Sequence, residues 1–382
     1  MEAGWPYLPV IGSLPGHMSS DEREPKGSIG GRRTVWWLGG VALVAIAAVG
    51  TVVAVDRTHG TPSRPPASAA GTAVECTVEP LSGLALGERS PEWVLVDPSG
   101  GYVVTEQPRD DGRPVPVLWH GGKAVPIPLP DGAGGPEDVG MAAVNAGGTA
   151  VGTVSHGGHR SAFVYRDGST TRLPGLPGYG DSDAEGIDAA GDIVGDASGA
   201  GGDVPVIWPA EAPGAVRRIG SAPGSAAAIG DDGTVVGTGG AGVPWVWNAS
   251  GDGHALALPP DPEVKKGRAL AVRGDWAAGW VGITDQLVDA ETPARWNLRT
   301  GAVKTFPGLT RAGARGVNAR GDLVTAHGLG GDTAIRDGRA LNLSVGRYQG
   351  PTAWATWISD DGRTLIGAAL GPTGTDVVRW HC

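Results

Sequence analysis

The densest run of groups able to do chemistry is Asp181, Ser182, Asp183, Ala184, Glu185 and Gly186, with carboxylates at alternate positions ahead of a glycine. Calcium loops begin this way, and Asp192 falls at the twelfth position of such a loop. A calcium loop closes there on a bidentate Glu, however, and the same residues fit an ordinary loop between repeats. The ordinary loop is the reading the sequence favours.

Other candidates are weaker. His156 and His159 lie three apart, and His327 occupies a matching place later in the chain. Zinc needs three or four convergent ligands, and no CxxC or HExxH supports these histidines, so they read as solvated loop residues. Asp110, Asp111, Asp285, Asp289 and Glu291 fall in variable segments and could supply an acid/base pair. Loop carboxylates are common without catalysis, and no G-x-S-x-G elbow, P-loop or dinucleotide fingerprint accompanies them. The sequence therefore predicts no catalytic residue, no cofactor and no metal ligand. A formal net charge of -10 argues against a nucleic-acid partner, which calls for a concentrated basic face.

These residues are carried by a repeat. An aliphatic residue, a glycine turn and a short apolar run recur as VNAGGTAVG from Val144, IDAAGDIVG from Ile187, IGDDGTVVG from Ile229 and VNARGDLVT from Val317. Related runs surround Gly101, Gly274 and Gly362. The aligned glycines Gly101, Gly148, Gly191, Gly233, Gly274, Gly321 and Gly362 are spaced by 47, 43, 42, 41, 47 and 41 residues. A period of about 43 residues, with short strand-like runs between turns, matches the four-stranded blade of a β-propeller. The predicted fold is all-β, a seven-bladed β-propeller over residues 76–382.

A second landmark is an apolar strand ending in an aromatic: Trp119, Tyr165, Trp208, Trp247, Trp296 and Trp380, with Ile335 in the sixth copy. Periodic placement favours packing between blades over a sugar-stacking role. The residue before the aliphatic landmark is small in Ala143, Gly186, Ala228, Ala271 and Gly316, as crowding near a propeller axis requires. Leu95 and Trp357 break that pattern in the first and last copies.

The run SAFVYRDGSTTRLPGL followed by EGIDAAGDIVG resembles the bacterial extracellular HAF repeat. Ser161 stands where that family has His, Asp188 where it has Asn, and Pro174 where Gly is usual. The resemblance implies a secreted or surface repeat domain of largely undefined role, with no family catalytic residues to carry over.

Ahead of the repeats, residues 1–33 are polar and Gly/Pro-containing and read as a disordered cytoplasmic tail. Residues 34–55 carry no charge over 22 positions, enough to span a hydrocarbon core of about 30 Å as a helix. Trp36 and Trp37 suit an interface, and Lys26, Arg32 and Arg33 place the amino terminus inside by the positive-inside rule. A cleaved signal peptide competes, but its apolar core should be about 7–15 residues. Residues 56–75, rich in Pro, Ala and Ser, read as an extended tether. The expectation is a single transmembrane helix holding an extracytoplasmic propeller at the cell membrane.

Aligning the last copy with the fifth leaves Cys76 and the residues after it as the missing fourth strand beside Trp380. Cys76 and Cys382 then meet where another blade has a hairpin turn, which predicts a disulfide that locks the ring. The variable segments 105–113, 153–160, 174–186 and 280–292 gather on one face of such a ring. Trp280, Asp285, Asp289 and Glu291 in the last of them offer an apolar anchor and charge, so they form the predicted binding face. The expected function is binding of an envelope protein or a carbohydrate ligand. The alternative is an extracytoplasmic hydrolase or lyase using loop carboxylates.

Overall fold

A computed structural model describes residues 76–87, 94–108, 114–135, 138–283, 291–307, 313–325, 334–341, 343, 353–371 and 374–382. The tail, span and tether expected over residues 1–75 lie outside the described residues, as do Asp110, Asp111, Asp285, Asp289 and His327. Among the described residues no helix is long and apolar enough to cross a membrane.

The strands form seven four-stranded antiparallel sheets, the blades of a propeller. Each of the first six takes four consecutive strands, as blade 3 does with Asp181–Ile187, Ile193–Gly199, Gly202–Trp208 and Arg217–Arg218. The first strands of successive blades touch one another all round, that of blade 1 meeting that of blade 7, so they line the axis. Blade 7 is completed from both ends of the chain. Its outermost strand is Thr77–Gly87, paired with the final strand Gly374–His381 through Thr77–His381 and Val78–Trp380. A Cys76–Cys382 disulfide, 306 residues apart in sequence, locks this seam. The predicted closure is borne out.

The strands read as apolar runs rather than clean alternations because both faces of a blade are covered by its neighbours. The buried clusters accordingly lie between blades. Leu81, Ile366 and Val377 of blade 7 pack with Val94, Val103 and Trp119 of blade 1, and Val151 and Ala162 of blade 2 pack with Ala184 and Trp208 of blade 3. The repeated aromatics belong to these layers. Trp296 and Trp380 are fully buried, and Trp119, Tyr165, Trp208 and Trp247 nearly so. Each of four indoles donates to a carbonyl of the preceding blade or its connection: Trp119 to Ser82, Trp208 to Pro174, Trp296 to Ala257 and Trp380 to Leu343, at 2.7–3.1 Å.

Two details of the repeat have a steric cause. The glycine that closes runs such as I-V-G cannot be replaced without moving backbone. A Cβ on Gly195, Gly237 or Gly279 would fall on the carbonyl oxygen of Asp183, Ser225 or Arg268 on the neighbouring innermost strand. That carbonyl is pushed inward by a β-bulge, present at the same place in blades 2 to 7. In the first copy the turn glycine is Gly100, with φ of 75°, rather than Gly101. Its N–H donates to Asp97 as that of Gly148 does to Asn145.

Several expected loops are shorter than predicted. Segment 153–160 is mostly strand, with only Gly157 and Gly158 between Ala150–His156 and His159–Arg166. Segment 174–186 ends at Gly180, because Asp181–Ile187 is the innermost strand of blade 3. Strand Trp276–Gly282 includes Trp280, and strand Tyr102–Pro108 takes the first part of segment 105–113.

Candidate functional site

In blades 2 to 7 the bulge divides the innermost strand into two parts with different surroundings. On one side lie the short glycine turns; on the other lie the connections between blades. The tier just beyond the bulge on the connection side keeps its backbone register from blade to blade while its residues change. It pairs Gly140 with Thr153 in blade 2, Asp183 with Asp196 in blade 3, and Ser225 with Thr238 in blade 4. In blade 5 it pairs Arg268 with Trp280. Opposed residues in an antiparallel pair share a face, so Arg268 and Trp280 stand side by side, as do Asp183 and Asp196. The bulged residues add Glu185 in blade 3, Leu270 in blade 5 and Arg315 in blade 6.

Charge gathers at this tier. Asp183 Oδ2 lies 3.2 Å from Arg160 Nη2, and Asp196 Oδ1 accepts a 2.8 Å hydrogen bond from the Ala226 N–H. Burial raises the carboxyl pKa of both, most strongly at Asp196; at Asp183 the Arg160 guanidinium opposes it. Burial also raises Glu185 and Glu291, each partly offset by Arg268 and Arg315 acting across the mouth of the axis. Among the described residues no hydrogen bond offsets the burial at either glutamate. The Arg268 Nε is buried and has no hydrogen-bond partner. Four carboxyl groups thus sit where ionisation is costly, among arginines that hold two of them only at a distance.

Two residues of the predicted binding face take part. A Cβ built on Gly313, in the chain leading into the innermost strand of blade 6, would lie 3.3 Å from Trp280 Cδ1 and 3.8 Å from Glu291 Oε2. Trp280 and Glu291 therefore converge over one stretch of bare backbone, with Leu270 Cδ1 also at 3.8 Å. Asp285 and Asp289 lie outside the described residues. The carboxylate run 181–186 does not form a calcium loop. The run lies in the strand Asp181–Ile187 rather than in a loop, and Asp181 is occupied by the Arg160 N–H at 3.0 Å and by His159 Nδ1 at 3.2 Å. His156 and His159 are exposed and flank a two-glycine turn, but they end and begin strands rather than lying in the predicted loop.

Arg268, Arg315 and Asp196 escape the sequence reading. Their signal is that charge replaces the small or hydroxyl residues found at the same repeat position in other copies, such as Ser225 for Arg268 and Thr238 for Asp196.

The opposite end of the axis is bridged by an arginine. Arg273 ends the innermost strand of blade 5 and donates from Nη1 to Asp231 of blade 4 and from Nη2 to Asp360 of blade 7, both at 2.9 Å. Those carboxylates also accept the N–H groups of Ala189 and Ala319. Partial burial pushes the Asp360 carboxyl up, but Arg273 and the Ala319 N–H outweigh it and leave its pKa lowered. A shallow crevice on this side, between blades 4 and 5, is lined by Asp275 and Arg299, which pair with each other at 3.3 Å.

No known protein family matches the sequence, and no curated protein matches it. Solved structures of similar fold do exist. An oligogalacturonate lyase from Vibrio parahaemolyticus aligns with a TM-score of 0.51 at 10% identity, over 80% of this chain and 93% of that one. A GH74 xyloglucanase from Xanthomonas campestris aligns with a TM-score of 0.51 at 12% identity, over 79% of this chain and 53% of that one. TolB from Acinetobacter baumannii aligns with a TM-score of 0.37 at 13% identity, over 55% of this chain and 52% of that one. The chain thus spans about half the length of the TolB and xyloglucanase structures. At these identities the likeness is one of fold alone.

Proposed function

We propose that this protein is a membrane-anchored, extracytoplasmic propeller of HAF-repeat type that binds a ligand or partner at the cell envelope through the connection-side mouth of its axis. The observation that carries the reading is the contrast between the two ends. One is bridged by the ion pairs of Arg273 with Asp231 and Asp360, while the other holds Trp280, Glu185, Glu291, Arg268 and Arg315 with, among the described residues, no hydrogen bond between the glutamates and arginines. The uncharged run 34–55 supports the anchor, and the disulfide suits an oxidising compartment outside the cytoplasm.

A second reading is an extracytoplasmic hydrolase or lyase, favoured by the raised pKa of Glu185 and Glu291, since a carboxyl group that keeps its proton can act as a general acid. One experiment addresses both. The full chain and its Trp280→Ala and Arg273→Ala variants are used to capture material from envelope protein and polysaccharide extracts. Capture lost only with Trp280→Ala supports the mouth; capture lost only with Arg273→Ala contradicts it. Release of new chain ends from the polysaccharide, abolished by Glu185→Gln, would establish the enzyme.

A further inference from the structure

The mouth has a composition that narrows its ligand, given the reading above that the mouth is the site. Trp280 presents a half-buried indole, fixed beside Leu270 over the Gly313 backbone, where even a methyl group would be in contact with the ring. Arg268 stands next to it across the strand pair, and Glu291 lies over the same glycine. Arg315 follows Gly313 by two residues, and Glu185 faces both arginines from blade 3.

The donors and acceptors here are sorted by residue. A guanidinium can only donate and a carboxyl group can accept, so Arg268 and Arg315 offer donors, and Glu185 and Glu291 offer acceptors. The Arg268 Nε is buried and without a hydrogen-bond partner among the described residues, as are those of Arg218 and Arg295 elsewhere in the fold. A hydroxyl group answers both kinds, because it donates one hydrogen and accepts others. Arg268 and Arg315 oppose Glu185 and Glu291 across the mouth, so neither kind of group stands there alone. An anionic ligand would meet the carboxyl groups of Glu185 and Glu291, and a cationic one would meet Arg268 and Arg315. A purely apolar ligand would strip water from four charged groups and return nothing. The flat apolar face of a pyranose ring, with hydroxyls around its rim, matches an indole bordered by alternating donors and acceptors.

We infer that the axial mouth binds a neutral saccharide, its ring laid on Trp280 and its hydroxyls held by Arg268, Arg315, Glu185 and Glu291.

Calorimetric titration of the full chain, solubilised in detergent, with cellohexaose, xylohexaose, hexagalacturonate and chitosan hexamer tests this. A neutral hexamer should bind, and Trp280→Ala and Glu291→Gln should each weaken it at least tenfold. Trp280→Phe should recover part of the loss, and Arg273→Ala on the far side should leave affinity unchanged. Binding of only the charged hexamers, lost with Trp280→Ala, would overturn the neutral class while keeping the site. Neutral binding that ignores the Trp280 and Glu291 variants would overturn the site itself. Binding of no hexamer by a chain that unfolds cooperatively would overturn the saccharide.

Discussion

The two ends of the propeller axis are built from the same seven strands and differ in how their polar groups are satisfied. On the turn side many demands are met inside the protein, although the Nε of Arg295, whose Nη1 donates to the Gly321 carbonyl, is buried without a partner among the described residues. Asn145 Oδ1 accepts from Gly147 and Thr149 while its Nδ2 donates to Asp188 of the next blade, and Asn318 repeats the arrangement toward Ser359. Arg273 joins three blades, and the disulfide seam lies on this side, where Cys382 N–H also donates to the Arg363 carbonyl. On the connection side Glu185, Glu291 and Arg268 are held close to opposite charge without a hydrogen bond from the glutamates or a partner for the Arg268 Nε. A scaffold settles its own polar groups, and a site leaves some for another molecule.

If the turn side carries the closure, its disruption should cost most. Cys76→Ser with Cys382→Ser opens a covalent loop spanning 306 residues. The chain-entropy model gives a loss of about 5–6 kcal/mol, toward the upper end for one disulfide. Denaturant unfolding with and without reductant measures it, and reduction of the double variant should change nothing further. Next comes the bulge that separates the two ends. Gly237→Ala drives a methyl group onto the Ser225 carbonyl and should cost about 2–3 kcal/mol. Gly201→Ala, on the connection side with open space around it, should stay within about 0.5 kcal/mol. Equal losses at the two glycines would show that the bulge is not the constraint. Arg273→Ala removes two partly exposed ion pairs and should lower stability by about 1 kcal/mol, with the loss shrinking in high salt.

Most of this architecture was legible because it is periodic. The glycine turns, the buried tryptophans and the partner for the last strand all repeat a pattern, and repetition averages out the ambiguity of any one copy. The first turn was misplaced by one residue because Gly100 and Gly101 are adjacent and only the backbone distinguishes them. The strand Asp181–Ile187 reads as a loop since Asp, Ser and Gly are turn formers. Its pairing with Ile193–Gly199 and its packing between neighbouring blades override that local preference. Arg268 and Arg315 were hidden for the opposite reason. A site departs from the repeat, and a reading that seeks the repeat passes over departures. Trp280 was found through its chemistry and placed wrongly in a loop, yet it and Glu291 meet over Gly313.

The smallest effect carries the comparison most directly, because it needs no ligand. The Asp360 carboxyl has a lowered pKa in the folded protein, so it adds stability above its ordinary value of 3.8, lost as pH falls through the lowered one. The Glu185 carboxyl has a raised pKa, so the native state binds more protons and stability falls as pH rises from 4.5 toward the raised value. Thermal unfolding of the isosteric variants Asp360→Asn and Glu185→Gln, compared with the parent chain from pH 4 to 8, separates the two roles. At neutral pH Asp360→Asn should be less stable than the parent by about 0.5–1 kcal/mol, and Glu185→Gln more stable by a similar amount. Loss of stability in Glu185→Gln equal to that in Asp360→Asn would make the mouth as much a scaffold as the floor, and would contradict the assignment of the site.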